Sequence, residues 1–361
     1  MSQPSKPDAF TLIPWPERAS TQLINLLFAQ FVSQSISAVA ELGVADHLKD
    51  GPQHIEPLAL GVKAHPGALL RVLRLLIKSG VFQELEDGRI TNNALSECLR
   101  ADHPETMAPT ARAFSGRAMK GCWGDMLHSL RTGEVAFNHV FGTGIFEWMA
   151  ENPADATTFW RMFDTFSEYT FPYVLASYDF TGVKRFVDIG GGKGRDLTMF
   201  LEAYPQARGV LFELPFVIEQ ARALVGEEAL SERIELVSGN FHELVPPGGD
   251  VYWMKYVVHN WPDDKVVALY ERIRRVMAPG GKIMLGELVI PEFRRPYELP
   301  LPKANDPEYI PHYVDTWMLV LTGGRSRSAT QHRALFEKAG FRLARIIPSG
   351  AAPTLLEAVE A

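Results

Sequence analysis

The stretch that most constrains this chain is Phe186-Val-Asp188-Ile-Gly190-Gly191-Gly192-Lys-Gly194. A short apolar run ends in an acid, glycines follow at once, and a helix-like segment runs from Asp196 to Tyr204. This order predicts the strand–turn–helix opening of a nucleotide-binding α/β unit. Glycines without Cβ let a ligand lie against bare backbone, and the new helix offers free N–H groups there. Taken alone, the turn is compatible with any adenosine-bearing cofactor, because dinucleotide enzymes use a similar one.

From Lys184 onward, strands and helices alternate, the pattern of a parallel sheet. The second strand, Arg208–Phe212, ends in Glu213-Leu214-Pro215. An acid at that strand end suits a ribose diol in dinucleotide and adenosyl-cofactor enzymes alike. The third strand, Ile234–Ser238, leads to Asn240-Phe241, a polar group beside an aromatic ring that suits an adenine. The fourth, Asp250–Val258, carries Lys255 and runs into His259-Asn260-Trp261. A Pro279-Gly280-Gly281 turn then opens the fifth strand, Ile283–Ile290, which contains Glu287.

Before this half, Ser20 to Leu42 reads as a helix that is apolar on more than one face, so it is buried against its own domain or a partner subunit. Short helices at Glu56–Leu60 and Pro66–Ser79 precede a hairpin, Val81–Thr91, with an Asp87-Gly88 turn. Helix, helix, hairpin is the order of a winged helix. Only Arg71, Arg74 and Lys78 are basic on the second helix, acids crowd the hairpin, and the net charge is −7. That balance favours a dimerisation module over a DNA-binding one. Between Pro104 and Phe180 aromatics and methionines are dense, Trp123, Met149, Phe159, Phe163 and Phe166 among them. Most should be core, and a subset could line a flat apolar pocket.

Two cysteines, Cys98 and Cys122, support neither a disulfide framework nor a cysteine metal site, and no metal is expected. The polar, proline-containing start has no leader pattern, and no membrane-spanning run is expected, so the reading is of a cytoplasmic protein.

Taken together these segments resemble the small-molecule O-methyltransferases typified by the caffeic acid and hydroxyindole enzymes. The resemblance is carried by Val-Asp188-Ile-Gly-Gly-Gly, Phe-Glu213-Leu-Pro, Ser-Gly-Asn240-Phe, Lys255-Tyr-Val-Val-His259-Asn-Trp, Gly-Glu287 and Gly323-Gly324-Arg-Ser-Arg, in family order. It implies a Rossmann-like α/β methyltransferase domain preceded by a mainly helical winged-helix dimerisation domain. The expected divisions are a dimerisation domain over 1–103, a helical connector lining the substrate pocket over 104–180, and a catalytic domain over 181–361.

The resemblance also implies S-adenosyl-L-methionine as cofactor, a homodimer through the N-terminal domain, an aromatic hydroxyl acceptor, and neither nucleic acid nor membrane as partner. His259 becomes the general base and Glu287 its supporting acid. Asp188, Gly190, Gly192, Glu213, Leu214, Asn240, Phe241 and Lys255 become cofactor-binding residues. Trp123, Met149, Phe159, Phe163, Phe166, Met318 and Thr322 become the acceptor pocket. His128, His139, His242 and His312 receive no catalytic role, with His312 alone among them within possible reach of the pocket.

Three departures from the family pattern matter. Ser326 stands where the family often has a second acid, so His259 should rely on Glu287. Asn240 replaces a usual aspartate, though an amide oxygen still accepts a hydrogen bond. The proline-rich stretch 291–313 is expected to form a lid. Met149 and Phe166 stand where plant members carry histidines, which points to a hydrophobic, polyketide-like phenol as acceptor. A different use of the same fold and cofactor, for hydroxylation, decarboxylation or a pericyclic reaction, is the alternative reading, and a winged-helix regulator that senses the cofactor is a third.

Overall fold

The computed structural model describes residues 19–225, 230–292, 310–350 and 353–361. The chain divides into two compact units, residues 1–115 and 116–361.

The first unit opens with α1 (Ala19–Glu41) and continues through α2 (Val44–His47), α3 (Ile55–Gly61) and α4 (Pro66–Lys78) to the antiparallel pair β1 (Phe82–Glu84) and β2 (Ile90–Asn92), then α5 (Ala94–Glu97) and α6 (Ala108–Phe114). The local chemistry accounts for the boundaries. Gly43 ends α1 at φ +66°, and Pro66 begins α4 at a position where its missing N–H costs nothing. Gly88 turns the hairpin at φ +79°. Leu58, Leu69, Leu73, Leu76, Phe82 and Ile90 meet in the unit's core.

Helix α1 behaves differently. Leu23, Leu26, Leu27, Phe28 and Phe31 are all exposed on it. Its 23 residues are also long and apolar enough to cross a membrane by length and composition, which corrects the reading that no segment is. Gln22, Asn25, Gln30, Ser33, Gln34 and Ser37 interrupt the apolar surface throughout. A shallow groove between α1 and α6, lined by Phe28, Val32, Ile36 and Phe114, continues that surface.

The second unit begins with α7 (Arg117–Gly124), α8 (Met126–Thr132), α9 (Ala136–Phe141), α10 (Ile145–Glu151) and the long α11 (Pro153–Ser177). The sheet part follows in alternation: β3 (Arg185–Ile189), α12 (Arg195–Ala203), β4 (Arg208–Glu213), α13 (Pro215–Val225), β5 (Ile234–Ser238), β6 (Val251–Lys255), α14 (Asp263–Val276) and β7 (Lys282–Glu287). After α15 (Ile310–Leu321) and α16 (Ala329–Lys338), the chain closes with β8 (Phe341–Pro348) and β9 (Thr354–Glu360).

The seven strands lie in the order β5-β4-β3-β6-β7-β9-β8, with β3 to β7 parallel and β9 antiparallel to both its neighbours, β7 and β8. The order reverses between β3 and β6 neighbours, where an open α/β sheet leaves a crevice at its carboxyl edge. Both faces of the sheet are packed. Phe186, Phe200, Leu211 and Trp253 anchor one side, and Val187, Phe212, Tyr252, Ile283 and Phe336 the other.

The fourth parallel strand is shorter than its apolar run predicts. Tyr256 takes φ +57°, a left-handed conformation unusual for a bulky side chain, and the backbone leaves the sheet there. The closing antiparallel pair, β8 and β9, was not anticipated from sequence. The expected lid falls mostly on residues 293–309, outside the described residues.

Candidate active site

Eight of the residues singled out for the cofactor sit at the carboxyl ends of four neighbouring strands, β5, β4, β3 and β6. Asp188 is 1% exposed, and its Oδ2 has no hydrogen-bond partner. Gly190 and Gly192 take φ of +68° and +58°, so the turn folds in a conformation that side chains resist. Gly191 is required by space: a Cβ there would lie 2.2 Å from Asp188 Oδ2.

Glu213 reaches into this turn. Its carboxylate accepts from the N–H of Leu214 at 2.6 Å and from the N–H of Gly192 at 3.3 Å. Burial nevertheless dominates and lifts the Glu213 carboxyl to about 7. Asp188 is likewise pushed well up, first by burial and then by the neighbouring carboxylate of Asp196.

Asp196, which sequence reasoning passed over, is central. It stands in the first turn of α12, 5% exposed. Its Oδ1 accepts from Lys255 Nζ at 2.6 Å and its Oδ2 from the Trp253 indole N–H at 2.9 Å. Lys255 also donates to Ser167 Oγ of α11 at 2.8 Å. The signal for Asp196 was present, as an acid in the turn right after the glycines, but only the fold brings β6 against it. The result is a pocket rim holding three buried carboxylates, Asp188, Asp196 and Glu213, around one lysine. Such a rim suits a cationic ligand.

Asn240 and Phe241 follow β5. The Asn240 amide oxygen accepts from the His242 N–H at 2.9 Å and its Nδ2 donates to Glu243 at 3.1 Å, which leaves one oxygen lone pair free for a ligand. Phe241 packs edge-on to Trp261, with ring centres 5.7 Å apart.

Past the turn at Tyr256, a short 3-10 segment (Val258–Asn260) presents His259, which is 7% exposed. Its Nδ1 lies 3.1 Å from Oε2 of Glu287, itself 1% exposed at the end of β7. The two groups are in contact, though the N–H direction is not well aligned for a hydrogen bond. Burial by itself would raise the Glu287 carboxyl; the facing His259, with Arg327 behind it, outweighs burial and holds it below its ordinary value. His332, 2% exposed, is driven down to about 4 chiefly by burial and is neutral at pH 7.

The loop bearing His259 is held from several directions. The Asn260 side chain donates to the carbonyls of Tyr256 and Val257. Arg327, 1% exposed, donates to the carbonyls of Val258 at 2.9 Å and Trp261 at 2.7 Å, and pairs with Asp263 at 2.8 Å. The Arg325 N–H donates to the His259 carbonyl at 2.8 Å. Ser326 is buried at 4%, and its N–H donates to Asp315 of α15 at 2.9 Å. Sequence reasoning treated this segment only through its missing acid. Its arginine is what ties it to the histidine loop.

Phe159, Phe163 and Phe166 of α11 meet Trp317 of α15 in a cluster of aromatic rings, in which Phe163 and Trp317 are parallel with centres 6.5 Å apart. Met318 is buried on the same helix, and Thr322 donates to its carbonyl at 3.5 Å. Met149 is buried on α10, which precedes α11 directly. Trp123, on α7, is 37% exposed and takes no part in the ring contacts of that cluster among the described residues. Trp160, not singled out from sequence, comes within 3.8 Å of where a Cβ on Gly192 would sit, and so links the aromatic helix to the glycine turn.

This Rossmann-like sheet with its glycine turn is the fold of an S-adenosylmethionine-dependent methyltransferase, as the comparisons with known proteins show. Residues 123–342 match the O-methyltransferase domain, and residues 24–102 match the O-methyltransferase dimerisation domain. The chain belongs to this O-methyltransferase family. It is 34% identical to the phenazine O-methyltransferase of Lysobacter antibioticus, over 94% of this chain and 96% of that one. It is 37% identical to the mitomycin biosynthesis 6-O-methyltransferase of Streptomyces lavendulae, over 93% of each. Among solved structures, human N-acetylserotonin methyltransferase in complex with S-adenosylmethionine superposes with a TM-score of 0.84 at 26% identity, over 96% of this chain and 99% of that one.

One consequence concerns the histidine loop. A Cβ on Gly324 would lie 1.9 Å from the His259 carbonyl oxygen and 2.5 Å from the Asn260 backbone, neither of which can swing aside. Gly324→Ala should therefore lower the urea midpoint of unfolding and lower turnover together. A variant with wild-type midpoint and turnover would show that the two segments do not pack this closely.

Proposed function

We propose that this enzyme transfers a methyl group from S-adenosylmethionine to a phenolic hydroxyl on a flat, hydrophobic polycyclic acceptor, with His259 as general base. The observation that carries the reading is the buried His259–Glu287 pair standing at the same sheet edge as the carboxylate-rimmed glycine turn.

The residues fit the cofactor. Asp188 has an unpartnered buried oxygen for an ammonium or a cationic chain, Glu213 is placed for the ribose diol, and Asn240 with Phe241 for the adenine. When bound, S-adenosylmethionine supplies a methyl group on a positively charged sulfur that leaves without protonation. The chain's own task is the acceptor proton. A phenol has a pKa of about 10, so a base at neutral pH must remove its proton as the oxygen attacks. With Nδ1 turned to Glu287, His259 offers Nε2 to the hydroxyl. The Glu287 carboxylate, kept ionised, orients the imidazole and stabilises the imidazolium that forms. Because His332 is neutral, the negative charge of Glu287 remains available to His259.

The acceptor class follows from the wall. Phe159, Phe163, Phe166 and Trp317 offer ring faces and edges, and Met149 and Met318 adapt to shape. The relatives named for a phenazine and for mitomycin biosynthesis support a planar, fused-ring acceptor. We also assign the exposed apolar face of α1 to pairing with a second copy, in keeping with the dimerisation domain that begins at residue 24.

His259→Ala should reduce methyl transfer to a hydroxylated phenazine or naphthoate by roughly 10²- to 10⁴-fold. Binding of S-adenosylhomocysteine, followed by calorimetry, should change only a few-fold. Turnover near that of the wild type would remove His259 from the mechanism, and label transfer from S-adenosylmethionine to none of a panel of fused-ring phenols would remove the acceptor assignment.

Glu213 makes a pH dependence. Its acceptor form is the carboxylate, which burial suppresses below about 7 in the free enzyme. A carboxyl raised in this way favours the native state below its ordinary value and loses that contribution as pH rises through about 7. Ligand binding works in the opposite sense: affinity for S-adenosylhomocysteine should rise from pH 6 to pH 8 and then level. In Glu213→Gln the affinity should be weaker and flat over that range; an unchanged slope would assign the dependence elsewhere.

For the subunit contact, Leu27→Glu combined with Phe28→Glu should convert a dimer to a monomer by light scattering. A wild-type chain that is monomeric, or that stays in solution only with detergent, would refute pairing through α1.

A further inference from the structure

Away from the cofactor turn, three side chains with metal-ligating atoms converge at the junction of α8 and α9. Asp125 lies just before α8, His128 sits in its first turn, and His139 lies on α9, a spacing of Asp-x2-His-x10-His. One ligand atom from each comes within 4.8 Å of the others. The Asp125 Oδ2 and His139 Nδ1 are 2.6 Å apart, and the two imidazoles lie parallel with ring centres 3.9 Å apart. Glu134, on the turn between the helices, brings its Oε2 to 3.3 Å from His128 Nε2. That nitrogen is buried and makes no well-directed hydrogen bond.

We propose that Asp125, His128 and His139 form a binding site for a divalent transition-metal ion of the zinc type, with Glu134 or water as the fourth ligand. The donor set decides the metal class. Two imidazoles with a carboxylate suit zinc, cobalt(II) or nickel(II), whereas magnesium and calcium take oxygen ligands. Charge argues the same way. With both imidazoles in the neutral, ligating form, Asp125 and Glu134 leave two negative charges at the cluster, which one divalent ion balances. His139 is more than half exposed and Glu134 more so, which leaves an entry path and room for the rings to turn toward a common centre. His128, only 16% exposed, is the fixed member.

The site is separate from methyl transfer, and its effect is structural. An ion there would clip α8 to α9, closing the turn at Gly133. Helix α9 packs against α15, the helix of Trp317 and Met318, so the clip would stiffen one support of the aromatic wall.

The test uses the full-length chain without a histidine tag, stripped with chelator. Zinc is titrated in competition with a fluorescent chelator, and cobalt(II) is followed by its visible absorption. The expected result is one equivalent bound per chain at micromolar Kd or tighter, with a rise in Tm on zinc addition. His128→Ala and His139→Gln should each weaken binding tenfold or more, and the double variant should bind none. S-adenosylhomocysteine affinity, unchanged in His139→Gln, verifies that the variant is folded. A wild-type chain that takes up neither zinc nor cobalt(II), or a double variant that binds one equivalent with wild-type affinity, overturns the proposal.

Discussion

The buried ion pair between Asp196 and Lys255 is the contact on which the catalytic unit depends. Asp196 belongs to the helix that leaves the glycine turn, and Lys255 to the last residue of the strand that leads to His259. The same two groups engage Trp253 and Ser167, so strand β6, helix α12 and the aromatic helix α11 are joined at one point. Both side chains are under 10% exposed. Removing one partner of such a pair leaves a buried charge uncompensated, at a cost of about 3–5 kcal/mol, while replacing the pair outright with apolar groups can be nearly neutral. Its value here is therefore position: it sets how the glycine turn, the histidine strand and the aromatic wall stand to one another.

Around that pair the site divides its labour by electrostatics. Near the glycine turn, Asp188, Asp196 and Glu213 are buried close together, and burial pushes Asp188 and Glu213 toward their neutral forms. A positively charged ligand would relieve that tension. At the neighbouring strand ends, Glu287 is held below its ordinary value because an imidazole faces it. Similar side chains thus take opposite protonation tendencies within one sheet edge, set by what each faces. The loop of His259 stays in place because Arg327, Asn260 and the Arg325 backbone saturate its carbonyls, and Tyr256 accepts a left-handed conformation to let it leave the sheet.

The two units carry different kinds of apolar surface. In the catalytic unit aromatic rings face one another across α11 and α15. In the first unit a row of leucines and phenylalanines on α1 faces outward. Length and composition alone cannot separate a membrane helix from a subunit-pairing one, and α1 passes both tests. The match of the region that starts at residue 24 to a dimerisation domain favours the second.

Much of the fold was legible because its signals are local. Short apolar runs located the five parallel strands to within about three residues, and Gly43, Pro66, Gly88 and Gly280 marked ends and turns that the backbone adopts. Strand β6 ran short of its apolar stretch because a single left-handed residue, Tyr256, ends it, which no propensity reveals. His259 and Glu287 were named from their motifs, and their meeting at 3.1 Å follows from the parallel pairing of β6 with β7. Asp196, Arg327, Trp160 and Trp317 were missed because their importance is made by partners on other elements, distant in sequence. The Asp125–His128–His139 cluster was missed for the same reason, since each histidine taken singly has a low prior for function. The sequence by itself determined the α/β class, the strand ends at which chemistry is placed, and the family. The tertiary structure alone decided which charges are buried together, since burial and pairing, which set protonation and metal affinity, are properties of distances in space.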